Sequence, residues 1–355
     1  MQDIFLYLIS CAVNKKQIDW SLFGEFTEEH WLQLYSLSRK QGVVAVVFEC
    51  IKNVPQEFAP SQELAVRWFF HAQSVEKIMK RKESIAKQLA EKFAERDIQT
   101  IVLKGIAYAS YYPFSFQREY GDLDCFLMGK KEEGDRAVVE IGGTMEEAGP
   151  KHSLLYYKGL KIENHRCLTS FDNSMIGKET ELLFQSLITI GYQPIGDSKL
   201  LNPCPDFNAM FLIKHAQIHF IKEGIYIKQL LDWAFFLKAE EKNVNWKRVI
   251  PMMEKCRILT FAKVMTGLCV EKLGLDCNVE ALKDSGTLLD AVLEDILDEQ
   301  PDPYHEKCYQ KVHRICRRFY RMWKFRSLAY KSYVGLVCES FVVSSFLQKR
   351  FKFSL

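Results

Sequence analysis

Apolar residues recur at helical spacing through most of the first hundred positions. Residues 2–13 carry one such face, and Thr27 followed by Glu28 and Glu29 reads as the capped start of another helix, continued by Trp31, Leu34 and Leu37. Gly42 interrupts the pattern before the β-branched run VVAVVFECI. That run suits a strand or a buried helix, and the pairing of residues 30–51 as one helical unit favours the helix. A proline-bearing loop at 53–61 precedes the longest periodic segment, residues 62–96, where Leu64, Trp68, Val75, Ile78, Ile85, Leu89 and Phe93 line one face between charged residues. This helix is expected to be a spine that delivers the chain to a strand beginning near Ile98.

From Ile101 to Leu127 the pattern changes to a strand, a short helix and a second strand. The segment GKKEEGDRAVVEIGGTM predicts an exposed turn and a helix on the back of the sheet, with Asp135, Arg136 and Glu140 on its solvated face. SLLYY and LKIENHRC then flank Lys158-Gly159 as a hairpin. After Lys178 the helical period returns in ETELLFQSLITI. A loop rich in Gly, Pro and Asn over 191–205 separates it from FNAMFLIKHAQIHFI and KQLLDWAFFLKAEE. Asn245 with Trp246 reads as the cap and entry of the next helix, FAKVMTGLCVEKLG and DSGTLLDAVLEDIL supply two more, and EQPDPYHEK ends the unit. These shifts divide the chain into a helical region (1–96), an α/β core (97–177), a second helical region (178–303) and a tail (304–355).

The chain has 355 residues, 48% of them hydrophobic, enough for a large core or two to three compact units. Net charge is only +3, which argues against a nucleic-acid binder as a whole, but the charge is uneven. From His305 to Leu355 there are twelve Lys or Arg against two acids, so this stretch carries +10 and the remainder −7. Eleven cysteines without a C-x-x-C pair point to free thiols in a reducing compartment. No signal-peptide succession opens the chain and no apolar run is long enough to span a bilayer, so a cytoplasmic or membrane-peripheral location is expected.

Candidate chemistry lies in the core. Asp122 and Asp124 are one residue apart at the start of the second strand, so both side chains point to the same face, where their repulsion calls for a cation. Lys104-Gly105 follows the first strand, and a glycine there permits a tight turn and close approach of phosphate. Arg118 lies four residues before Asp122. Glu163 stands in a hairpin strand that could pair beside the Asp122 strand. Three acids on neighbouring strands suit two hard metal ions and a nucleoside triphosphate. In the later helix, His215 and His219 are four apart and face the same way, but no H-E-x-x-H glutamate accompanies them, which argues against zinc. Lys214, Lys222 and Lys228 could neutralise phosphate, as could Lys151 and His152, for which a surface role is equally open. Asp232, in an apolar stripe, needs a partner, with His215 or His219 as candidates.

The set VLKG, YYP and R-E-Y-G-D-L-D-C-F-L, then KIENHR, then H-A-x-x-H-F resembles the uncharacterised nucleotidyltransferase family of the polymerase-beta-like superfamily, over roughly residues 25 to 300. The resemblance implies an α+β fold: a small mixed nucleotidyltransferase-like sheet with packed helices, embedded between N-terminal and C-terminal helical regions. It implies Asp122, Asp124 and Glu163 as catalytic metal ligands for Mg²⁺ or Mn²⁺, with His165 two residues after the third acid. Lys104, Gly105, Arg118, His215 and His219 are implied to bind the nucleotide. Asn164, in place of the usual apolar residue, and Arg166, in place of an aromatic, depart from the family pattern.

The implied activity is transfer of a nucleotidyl group from an NTP to an unidentified acceptor, whether small molecule, glycan-related or protein. The alternative is a catalytically inactive nucleotide-binding or interaction protein of the same fold. The absence of a P-loop motif argues against a small-molecule kinase. In the tail, Arg314, Arg317, Arg318 and Arg321 alternate with Ile315, Phe319, Met322, Trp323 and Phe325, a basic aromatic helix. Packing within the chain or on a partner, an anionic membrane surface and, less, nucleic acid are the open readings.

Overall fold

The structure, a computed structural model, describes residues 1–149, 151–169, 175–283, 288–298 and 307–337. The chain opens with helices α1 (Gln2–Asn14), α2 (Glu28–Lys40), α3 (Val44–Ile51) and α4 (Gln62–Ala94). Thr27 caps α2 through the His30 amide, and Ser61 caps α4. The β-branched run is a helix, α3, and Val44, Val46 and Val47 are buried. Packing overrides propensity there, since an all-apolar segment gains most where it is enclosed on all sides.

The core follows as β1 (Thr100–Val102), α5 (Ile106–Ala109), β2 (Asp122–Phe126), α6 (Lys131–Glu140), β3 (Thr144–Ala148), β4 (His152–Tyr157) and β5 (Leu160–His165). Next come α7 (Met175–Ile188), β6 (Tyr192–Pro194), β7 (Leu200–Pro203), α8 (Pro205–Lys222) and α9 (Ile227–Glu240). The chain continues through α10 (Trp246–Lys255), α11 (Leu259–Glu271), α12 (Leu289–Leu297) and α13 (Lys307–Lys324). The fold is mixed α/β, a central sheet flanked by helical regions, as the sequence predicts.

Among the described residues the strands form one seven-stranded sheet in the order β3-β4-β5-β2-β1-β7-β6. β2 and β5 run parallel, as do β1 and β7, while the other neighbours are antiparallel. The stretch 191–205, expected as loop, thus contributes two short strands, β6 and β7. They are too short, and too interrupted by Pro and Gly, to show a period of their own; pairing with β1 decides them. The first core strand begins at Thr100 rather than near Ile98, because Asp97 takes a left-handed turn (φ 55°) and the Ile98 amide closes the end of α4.

α4 and α6 pack one face of the sheet. Trp68, Leu89 and Phe93 of α4 are fully enclosed, each contributing on the order of 1.5–3 kcal/mol by leaving water. Gly134 lets α6 pack closely over Leu127, just after β2, since a Cβ there would lie 2.1 Å from Leu127 Cδ1. Asp135 is a correction to the expected solvated face: it is buried, accepting hydrogen bonds from Lys131 Nζ (2.8 Å), Ser153 Oγ (2.6 Å) and Asn164 Nδ2 (2.8 Å). A short polar side chain in a helix is ambiguous by sequence, and what lies beneath α6 decides its environment.

In the tail, Arg317 pairs with Asp298 at 2.7 Å, and the buried Arg321 pairs with Asp295 and donates to the Phe220 carbonyl at the end of α8. Ile315, Tyr320 and Trp323 remain exposed. The side chain of Arg314, the segment 299–306 expected to end the helical unit and most of the apolar run at 334–347 lie outside the described residues. Among the described residues, no helix is long and apolar enough to cross a membrane.

Candidate metal centre

β2 and β5 are registered so that Asp122 lies opposite Lys161 and Asp124 opposite Glu163. Side chains alternate faces with period two, so Asp122, Asp124, Lys161, Glu163 and His165 share one face. The intervening Leu123, Cys125, Ile162 and Asn164 point at α4 and α6. This explains the departure at Asn164: it sits on the other face, donating to the Lys131 carbonyl (2.9 Å) and to Asp135, and takes no part in the acidic cluster. Arg166 lies on the surface, paired with Glu132.

Oxygens of Asp122, Asp124 and Glu163 lie within 4.8 Å of one another, a separation at which one carboxylate crowds the next. Gly105 adopts φ 65°, turning the chain after β1 so that Lys104 returns over the acids, its Nζ 3.1 Å from Asp124 Oδ2 and 3.9 Å from Asp122 Oδ1. Lys161 bridges Asp122 Oδ2 (3.4 Å) and Glu163 Oε1 (2.8 Å). His165 Nε2 lies 3.0 Å from Asp124 Oδ1. From α4, Lys82 donates to the Tyr120 and Gly121 carbonyls (2.6 and 3.1 Å), fixing the turn into β2.

The carboxylates are electrostatically unequal. Burial pushes Asp124 up, but the hydrogen bond with His165 and the Lys104 charge outweigh it and hold the carboxyl well below the usual range. Asp122 is pushed up by burial and by the negative charge of Asp124, against the pull of Lys104. Burial pushes Glu163 up, but the hydrogen bond from Lys161 together with the charges of Lys104 and His152 outweighs it and lowers the carboxyl. Asp124 Oδ2 faces the Lys104 ammonium at ion-pair distance but is buried without a hydrogen bond of good geometry, an acceptor still open to a cation. This buried His/Asp/Glu cluster can coordinate a divalent metal: hard carboxylate oxygens converge, and the ammonium groups already between them mark where positive charge is stable.

α8 stands across this face and closes a cavity of about 310 Å³ between the acids and its own Lys214, His215 and His219. The rings of His215 and His219 lie 4.5 Å apart, and Phe211 stacks on His215. Burial, then the nearby Lys104 charge, pushes His215 well down, favouring the neutral imidazole. Neither histidine belongs to a metal-holding group among the described residues. Lys151 also lines the cavity, its pKa lowered by burial and by Lys104.

Of the expected nucleotide contacts, Lys104, His215 and His219 line this cavity with the three acids, and Gly105 does not line it but turns the chain next to Lys104. Arg118 does not line it. Its guanidinium is buried and bidentate on Asp232, at 3.1 and 2.7 Å, and Tyr112 Oη donates to the same carboxylate at 2.8 Å. Asp232 therefore finds its partners in Arg118 and Tyr112 rather than in His215 or His219. Lys228 also lies elsewhere, its stem beside Gly42.

Lys161 escaped the sequence reading, although its position two residues before Glu163 on a strand is the period-two signal that reveals it. Glu181 of α7 had no such signal. It accepts from the Leu168 and Thr169 amides (2.9 and 2.8 Å), holding the loop after β5 against the cavity. A larger hollow of about 800 Å³ near Cys11, Lys15 and Trp20 contains none of the acids.

A family profile described as uncharacterised nucleotidyltransferase matches residues 27–274. Comparison with curated proteins and with solved structures gave no match.

Proposed function

The chain belongs to the uncharacterised nucleotidyltransferase family, and from that premise we propose that it transfers a nucleotidyl group from a nucleoside triphosphate to an acceptor. The observation that carries this reading is the convergence of Asp122, Asp124 and Glu163 oxygens within 4.8 Å on one face of two parallel strands. Asp122 and Asp124 would hold the divalent cations, Mg²⁺ or Mn²⁺, with Glu163 completing the set. Bound there, such cations lower the pKa of an acceptor hydroxyl and stabilise charge on the transferring phosphoryl oxygens.

The protein's own groups do the rest by position and charge. Lys104, and across the cavity Lys151 and Lys214, would balance the triphosphate. The acceptor oxygen forms its bond to the α-phosphorus as the bond to the bridging oxygen breaks. Pyrophosphate leaves, and Glu163, if it does not complete the metal set, would instead assist removal of the acceptor proton. His215, neutral beside Phe211, and His219 would form the wall against which the nucleotide or acceptor rests. Arg118 would act at one remove, fixing α9 to the segment that enters β2, rather than on the triphosphate.

The test is metal-dependent pyrophosphate release from ATP, GTP, CTP and UTP in the presence of cell extract, with labelled products identified by mass spectrometry. Asp122→Asn is expected to abolish release while thermal melting shows the fold retained; unchanged release would overturn the assignment. Stabilisation by a triphosphate with Mg²⁺, without release for any acceptor, would favour the nucleotide-binding alternative.

A further inference from the structure

Glu163 faces two ways. Its Oε1 accepts from Lys161 at 2.8 Å, whereas its Oε2 points at two imidazoles, 4.0 Å from His152 Nε2 and 3.8 Å from His165 Nε2. His152 and His165 are direct cross-strand partners on β4 and β5, with ring centroids 5.3 Å apart. Their donor nitrogens and the Glu163 oxygen lie within 4.8 Å of one another, as the three carboxylates do on the other side of Glu163. Donors about 2.1 Å from one ion lie at most about 4.2 Å apart, so the 4.0 and 3.8 Å separations from Glu163 fall within the reach of a single ion.

Among the described residues, hydrogen bonding does not account for the position of His152. His152 Nδ1 is buried without a partner among them, and Nε2 has no hydrogen bond, only Glu163 at 4.0 Å. His165 Nε2 shares a hydrogen bond with Asp124 Oδ1 at 3.0 Å, and a metal ion on Nε2 would take the place of that proton. Its Nδ1 lies 3.4 Å from the Cys167 carbonyl, an outer acceptor that would keep the proton on Nδ1 and leave Nε2 free to ligate.

We infer that the cavity holds two chemically different cations: a hard ion on Asp122, Asp124 and Glu163, and a transition-metal ion on His152 Nε2, His165 Nε2 and Glu163 Oε2. Mg²⁺ takes oxygen ligands and sheds water reluctantly, whereas two imidazoles with one carboxylate suit Mn²⁺, Co²⁺ or Zn²⁺. Glu163 is the shared ligand that would couple the two positions. The inference rests on the proposed nucleotidyl-transfer reading for the oxygen site, but the histidine site requires no nucleotide and no turnover.

The experiment is Mn²⁺ binding to the full-length protein without nucleotide, in excess Mg²⁺, followed by the loss of the free-ion paramagnetic resonance signal and by pulsed resonance for ¹⁴N coupling. One Mn²⁺ is expected to resist Mg²⁺ and to show imidazole nitrogen coupling. His152→Ala should weaken it by about tenfold or more, at or beyond the range produced by losing an outer-sphere partner. His165→Ala should do the same. His152 is a third exposed and unpartnered at Nδ1, so its variant carries the test even if His165→Ala, which strips Asp124 of its neighbour, fails to fold. Bound Mn²⁺ without nitrogen coupling, ready displacement by Mg²⁺, or unchanged affinity in His152→Ala would overturn the inference. Because nothing turns over, failure of nucleotidyl transfer in Asp122→Asn assays is read separately.

Discussion

The two faces of β2 and β5 carry two buried polar clusters a few ångströms apart, built to opposite ends. Behind the sheet, Lys131, Asp135, Ser153 and Asn164 form a network of one cation and one anion in direct contact, with both Asp135 oxygens accepting hydrogen bonds. One Asn164 oxygen is left over. In front, three carboxylates share Lys104 and Lys161, an Asp124 oxygen lacks a proper donor, and the cluster borders a cavity. A neutral network sealed under α6 holds two elements together. Crowded charge with open acceptors beside a cavity is tolerable only if something positive enters.

The sharpest break of this comparison is Asp135→Ala. It strands the Lys131 ammonium beneath α6, and we expect a loss of about 3–5 kcal/mol of stability in denaturant unfolding. Turnover per folded molecule should be unchanged. Asp124→Asn should do the reverse, lowering metal-dependent pyrophosphate release by about 10²-fold or more, the scale of removing one preorganised electrostatic contact, with a smaller effect on melting. Equal stability losses from the two variants would erase the distinction between the faces.

Gly105→Ala tests the hinge between them. A side chain at φ 65° with its Cβ 3.4 Å from the Asp122 carbonyl should cost about 1–3 kcal/mol and should displace Lys104, read as weaker nucleotide-dependent thermal stabilisation. Arg166→Ala is expected to change stability by less than about 1 kcal/mol, because its pair with Glu132 is exposed. A larger effect would place the residue within the site's machinery.

Much of the front face was legible from residue order alone. Asp122 and Asp124 had to share a face, the hairpin around Lys158-Gly159 had to bring Glu163 onto a strand, and Lys104-Gly105 had to turn. Each of these follows from backbone geometry over a few residues. The back face was not legible. Asp135 reads as solvated in its own helix, and Asn164 reads as a flaw in its strand, until the two are found to bond each other across 29 positions. The sequence likewise showed that Asp232 needs a partner, but not that Arg118 is that partner, at a separation of 114 positions.

By itself, then, the sequence determined the helical spine, the paired acids and the hairpin, because helix and strand periodicities are local consequences of steric and hydrogen-bond geometry. Tertiary structure alone decided four things. It brought β5 beside β2 in parallel, drew β6 and β7 out of a stretch with no period of its own, and turned Arg118 inward to Asp232. It also set His152 against His165, so that Glu163 faces imidazoles as well as carboxylates. The physical reason is common to all four: such pairings relieve charge, or satisfy backbone groups, between segments whose encounter no local pattern encodes.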